Sequence, residues 1–109
     1  MPLKQTFGFL GAGRMATALA GGMVKAGLIK SRQLVASDVV LTAGRAFTKM
    51  TGGKLLKGND EVLRKAHVIV IAVKPHQVLE LLSKLDGEVT PKHLFISIAS
   101  GVTLEQLEN

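Results

Sequence analysis

A doubly wound α/β domain, three layers built on a parallel sheet of five or so strands, is the fold this sequence predicts. Three observations predict it. Short apolar runs alternate with longer amphipathic ones along the chain, the pattern of strands joined by crossover helices. The run Val68-Ile69-Val70-Ile71-Ala72-Val73 is dominated by β-branched residues, as in parallel strands buried on both faces. Finally, Gly11-Ala12-Gly13-Arg14-Met15-Ala16 follows a strand-like stretch and opens a helical one.

Composition sets the frame. The 109 residues suffice for one core, 47% are apolar and the mean hydropathy is +0.31, so a single globular domain over 1–109 is expected. The longest apolar run is too short to cross a bilayer, and the N-terminus carries no signal-peptide pattern. The absence of cysteine excludes disulfides and thiolate metal sites and fits a reducing, cytoplasmic setting. The net charge of +6 is spread along the sequence without a cationic block or interleaved aromatics, which argues against nucleic acid as a partner.

Taken in order, Thr6–Leu10 reads as the first strand and Gly13–Ala26 as the first helix. Met15, Ala18, Leu19, Gly22, Met23 and Ala26 recur at spacings of three and four as its inward face, and Gly27 stops it. Gly21 and Gly22, each costing about 1 kcal/mol against alanine, suggest close packing on a sheet. Gln33–Ser37 is the second strand. Val40–Met50 is a second helix with Leu41, Phe47 and Met50 inward, broken by Gly52-Gly53, and Lys54–Leu56 is a short third strand. Asn59 is expected to cap a helix ending near Ala66, with Asp60 and Glu61 suiting its dipole. His67–Val73 is the fourth strand. Pro75 opens a helix whose inward face is Val78, Leu79, Leu82 and Leu85 and which Gly87 closes. Leu94–Ile98 is a further buried strand, and Thr103 with Gln106 makes a capping box for a terminal helix.

Right-handed crossovers then place helices on both faces, a Rossmann-type arrangement, and strand order reverses between the first and fourth strands. The glycine run sits at that reversal. Gly11 permits the sharp turn, Gly13 leaves room for a pyrophosphate, and Ala16 lets the helix approach the sheet. The first helical turn adds unpaired N–H groups and a positive dipole end, and Arg14, unfavourable to that dipole, is placed for a phosphate contact. The end of the second strand carries mixed signals about the cofactor. Asp38 suits the ribose hydroxyls of NAD or is a turn residue facing water; Ser37, Arg45 and Arg14 suit the 2′-phosphate of NADP. Lys74 lies near the expected ribose position. His67, His76 and His93 have no telling partners, and no metal-ligand cluster or nucleophile–base pair is visible, so no catalytic residue is assigned.

Several blocks together resemble the pyrroline-5-carboxylate reductase family. They are Gly8–Ala16, Ala36-Ser37-Asp38, Asn59-Asp60-Glu61-Val62, Ala72-Val73-Lys74-Pro75-His76 and Ser97-Ile98-Ala99-Ser100-Gly101-Val102-Thr103. The resemblance implies hydride transfer from NADPH, or from NADH, to the C=N bond of pyrroline-5-carboxylate, giving proline. By residue match, Leu10, Gly11, Ala12, Gly13, Arg14 and Met15 would hold the pyrophosphate. Ser37 and Asn59 would lie at the adenosine ribose or its 2′-phosphate, beside Asp38, whose two readings stay open. Ala72, Val73, Lys74, Pro75, Ala99 and Gly101 would line the nicotinamide side. Members of that family are much longer. The expectation is therefore a cofactor-binding domain without the C-terminal domain that forms the dimer and completes the imine pocket, inactive alone and homo-oligomeric only with that domain. A coenzyme-F420-dependent or hydroxyacid dehydrogenase-type reductase, or a non-catalytic nucleotide-binding module, are the alternatives.

Overall fold

Five parallel strands form one sheet in the order β3-β2-β1-β4-β5, in a computed structural model that describes residues 3–73, 75–84, 87 and 90–98. Of Pro75, His76 and Leu82 it describes the backbone alone. The elements are β1 (Phe7–Leu10), α1 (Arg14–Lys25), β2 (Leu34–Ser37), α2 (Leu41–Thr51), β3 (Lys54–Leu55), α3 (Asn59–Lys65), β4 (Val68–Ile71), α4 (Pro75–Lys84) and β5 (Leu94–Ser97). The expected terminal helix lies outside the described residues.

Every residue of β1, β2 and β4 is buried, as their apolar runs require, and alternate side chains enter two separate cores. On one face Phe7, Phe9, Leu34, Ala36, Val68 and Val70 meet α1 and α2, with Phe9 and Phe47 rings 5.5 Å apart. On the other, Leu10, Val35, Ile69 and Ile71 meet Val62, Leu63 and Ala66 of α3 and its end. Gly8 belongs to that second face. A Cβ there would stand 2.4 Å from a Val62 methyl and 2.7 Å from the Ala66 Cβ, so the missing side chain sets how closely α3 rests on the sheet.

Several expected faces are corrected. In α1 the buried residues are Ala16 and Ala20, whereas Met15 and Leu19 are 54% and 40% exposed. Phenyl rings already fill this layer, so the helix is buried through small residues, with Met23 of the expected face and Val24 packed at the margin of the core. Gly21 and Gly22 do not pack on the sheet; a Cβ at either would meet nothing within 4 Å, and both line an outer groove between α1 and α2. In α2, Gly44, Phe47 and Thr51 are buried while Leu41 and Met50 point outward. Leu55 occupies the space a Cβ at Gly44 would need. In α4, Val78 and Leu81 join the second core and Leu79 is exposed; Leu85 lies outside the described residues. The last strand is not buried on both faces: among the described residues β5 pairs only with β4, and Leu94 and Ile96 are exposed.

The connections follow local chemistry. Gly27, at φ +76°, ends α1 in a Schellman arrangement, its N–H donating to Val24 O and that of Leu28 to Met23 O. Gln33 lies in a 3₁₀ turn before β2 and its amide donates to the carbonyls of Leu3 and Gln5, clamping the N-terminal segment. The Thr6 N–H donates to His67 Nδ1. His93 Nδ1 accepts from the Thr90 N–H, so its proton stands on Nε2, which donates to Leu63 O at 2.6 Å. Both histidines thus act as structural links at the N-terminal end of the sheet.

Substituting Gly8→Ala forces a methyl against two rigid neighbours, and overpacking of this kind costs about 1–3 kcal/mol. Urea denaturation should show a lower midpoint with an unchanged slope; an unaltered midpoint would mean that α3 is free to move away from the sheet.

Candidate functional site

The C-terminal ends of β1, β2 and β4 meet at the turn after β1. Gly11 has φ +100°, a conformation that L side chains rarely adopt, and a Cβ there would stand 2.6 Å from the Ala72 carbonyl oxygen. Three backbone hydrogen bonds tie the strand ends together around it. The Ala72 N–H donates to Leu10 O at 2.8 Å, the Gly11 N–H to Ser37 O at 2.8 Å, and the Leu56 N–H to Ala36 O at 2.7 Å.

Asp38 adds a side-chain brace. Its Oδ2 accepts the Ala12 N–H at 2.7 Å and its Oδ1 accepts the Val40 N–H at 2.8 Å. One carboxylate therefore joins the glycine turn to the loop entering α2. Asp38 is thus a turn residue, as one reading of the sequence had it, but half-buried rather than facing water, and its second bond reaches across to the glycine turn. The Ser37 hydroxyl, 2% exposed, donates to the amide oxygen of Asn59. Asn59 is accordingly not the cap of α3. Gly58 holds that position, and Asn59 is the first helical residue, its side chain turned toward β2.

With Ala12 engaged, the donors left at the head of α1 are those of its first turn. Gly13 is the N-cap, at φ −74° and ψ −167°, and the first helical bond runs from the Thr17 N–H to Gly13 O. The N–H groups of Arg14, Met15 and Ala16 thus have no carbonyl one turn back, a positive end that favours an anion. A Cβ at Gly13 would meet no atom within 4 Å. The protein's own packing does not require glycine here, and the open space fits the close approach of a phosphate group.

Of the residues expected at the site, the fold brings together Gly11, Ala12, Gly13, Ser37, Asp38, Asn59, Ala72 and Val73. Leu10 is fully buried and serves through its carbonyl; Arg14 and Met15 are exposed at the head of α1. Arg45 stands apart, in a depression with Thr48, Lys49 and Lys54 on the far side of α2. Pro75 opens α4, and Lys74, Ala99 and Gly101 lie outside the described residues. Sequence reasoning missed the Asp38–Ala12 bond. The Asp-x-Val spacing signals the bond to Val40, but nothing local signals the bond across twenty-six residues.

Residues 6–101 match the family described as NADP oxidoreductase, coenzyme F420-dependent. The chain belongs to this family. Among its relatives, the pyrroline-5-carboxylate reductase of Methanosarcina acetivorans is 36% identical over 97% of this chain and 39% of its own length. Pyrroline-5-carboxylate reductase 2 of Bos taurus is 37% identical over 93% and 32%. The chain thus spans about a third to two-fifths of the relatives it matches. Among solved structures, the Coxiella burnetii pyrroline-5-carboxylate reductase superposes with a TM-score of 0.82 at 28% identity, covering 97% of this chain and 39% of that one. The Plasmodium falciparum pyrroline carboxylate reductase with NADP bound gives 0.77 at 30%, covering 99% and 38%. In open α/β sheets of this kind ligands bind outside the carboxyl ends of the strands, where strand order reverses.

Gly11 and Gly13 should separate on substitution. Gly13→Val keeps allowed backbone angles and clear space, so the melting temperature should hold while dinucleotide affinity falls at least tenfold. Gly11→Ala should lower both. Undiminished binding by Gly13→Val, measured by calorimetric titration, would remove the pyrophosphate from this turn.

Proposed function

We propose that this chain is the dinucleotide-binding portion of an NADPH-dependent reductase acting on pyrroline-5-carboxylate. The product is proline: the imine carbon gains a hydride and the ring nitrogen a proton. The observation that carries the reading is the glycine turn with its open Gly13, set in a chain 36% identical to a pyrroline-5-carboxylate reductase over 97% of its length. When bound, the reduced nicotinamide supplies the hydride.

The chain's own residues supply position. The N–H groups of Arg14 and Met15, beside the open Gly13, hold the pyrophosphate. Ser37 and Asn59, already paired with each other, turn their hydroxyl and amide to the adenosine ribose or its 2′-phosphate. Asp38 keeps the turn formed through Ala12. Ala72 and Val73, with Lys74, Pro75, Ala99 and Gly101 on the adjoining segments, line the nicotinamide side. Holding the reacting carbon in a near-attack geometry is a large part of what such a domain contributes to the rate. The imine pocket and its proton source belong to residues other than those named here. Among the described residues no helix is long and apolar enough to cross a membrane, and the cysteine-free composition fits a cytoplasmic enzyme.

A second cofactor reading, NADH, draws on Asp38, whose half-buried carboxylate beside Ala12 would oppose a 2′-phosphate. Calorimetric titration with both cofactors separates the two. Tighter binding of NADPH, weakened about tenfold by Ser37→Ala while NADH is little changed, corresponds to about 1.4 kcal/mol at the 2′-phosphate. Asp38→Ala should weaken both cofactors together, because an unpartnered buried N–H at Ala12 costs about 1–3 kcal/mol. A preference for NADH that Asp38→Ala abolishes would reverse the assignment. The 109-residue chain should form no proline from NADPH and pyrroline-5-carboxylate; turnover at the rate of an intact reductase would refute the division of labour.

A further inference from the structure

Six cations that are scattered in sequence are gathered by the fold. Lys4, Lys30 and Arg32 line a depression at the end of the sheet where β1 and β2 begin. Arg45, Lys49 and Lys54 line a second one beside α2 and β3. All six are exposed. Hydrogen bonds join the segments that carry them. The Gln33 amide donates to the carbonyls of Leu3 and Gln5, on either side of Lys4, and the Lys30 N–H donates to Gln33 Oε1 at 2.8 Å. The Ser31 hydroxyl, between Lys30 and Arg32, donates at 2.7 Å to the carbonyl of Thr51, between Lys49 and Lys54. A Cβ at Gly52 would stand 2.8 Å from the same hydroxyl oxygen, so the 3₁₀ turn rests directly on the end of α2. The two depressions are therefore parts of one band.

No carboxylate offsets this band. Among the described residues none of the six is in an ion pair, and neither depression has an acidic residue in its lining. Residues 1–59 hold one acid, Asp38, and its oxygens are engaged at the other end of β2 with Ala12 and Val40. Lys49 suits the dipole of α2 from its last turn, which accounts for one cation of the six. Gathering like charges opposes the compact state through mutual repulsion, and an anionic partner removes that cost.

We propose that this band binds the sugar–phosphate backbone of a nucleic-acid duplex without reading its sequence. Phosphate contacts from lysine and arginine supply essentially all of such binding. Neither depression is lined by an aromatic residue, so bases find no stacking platform; this favours a duplex, whose bases are enclosed, over a single strand. Two triplets of cations on either side of the Ser31–Thr51 contact fit the two rows of phosphates that border a groove. The absence of a cationic block along the sequence therefore does not extend to the folded surface. The band lies at the end of the sheet opposite the glycine turn, so this binding does not depend on the dinucleotide reading.

Fluorescence anisotropy with a short labelled DNA duplex should show binding that weakens steeply with salt. The slope of log affinity against log salt should approach about −5, the value for six phosphate contacts, and a duplex of unrelated sequence should bind equally. Lys49→Gln combined with Lys54→Gln should weaken binding at least about tenfold and flatten the slope by about 2, with the melting temperature unchanged. Lys65→Gln combined with Lys92→Gln changes the net charge equally at a separate depression beside α3, and should weaken binding less than about twofold. Equal losses from the two pairs would mean diffuse attraction to the net charge of +6 and would overturn the proposal. So would the absence of binding at low salt. Tighter retention by phosphatidylserine vesicles than by the duplex, at equal phosphate concentration, would overturn it in favour of a lipid surface.

Discussion

The left-handed turn at Gly11 is the constraint from which the rest of the site follows. Its carbon is pressed against the Ala72 carbonyl, where no side chain fits, and its N–H is committed to Ser37. The chain therefore leaves β1 at the junction of three strand ends and enters α1 with the helix axis aimed at the same point. Everything that could meet a ligand there takes its place from this turn: the free donors of Arg14 to Ala16, the open space at Gly13, and the Ser37–Asn59 pair.

Around the turn the two faces of the sheet are built by different means. The face toward α1 places large rings on β1 and small residues on the helix, so Ala16 and Ala20 share a core with Phe7 and Phe9, and Phe47 of α2 closes it from the side. The face toward α3 does the reverse. Gly8 withdraws from the sheet and Val62 and Ala66 fill the space. Both solutions bring a helix close to the sheet and keep the interior at solid-like density. The use of small residues on α1 where the sheet is bulky is also why simple hydropathy ranks that helix face wrongly.

Asp38 shows how a fold reassigns a familiar residue. An acidic side chain at the end of the second strand of such a domain is expected to address a ribose. Here both oxygens accept backbone N–H groups of the protein, and the carboxylate preorganises the turn it neighbours. The two roles are compatible because each carboxylate oxygen has a second lone pair. Ser37 and Asn59, which a resemblance alone treats as separate contacts, act as one hydrogen-bonded unit.

Legible along the chain alone were the order of the described elements, their parallel arrangement, the stop at Gly27 and the position of the glycine turn. These depend on local properties: the period of apolar residues, the β-branched run of β4, and backbone angles that only glycine adopts readily. Only the arrangement in space settles which side of α1 and α2 faces inward, that Asp38 reaches Ala12, that Asn59 turns to Ser37, and that Leu94 and Ile96 of β5 stand exposed among the described residues. Those facts depend on what lies across the gap from each residue. An alanine is inward because a phenyl ring stands opposite, and a carboxylate braces a turn because a backbone N–H lies within its reach; neither partner is adjacent in sequence.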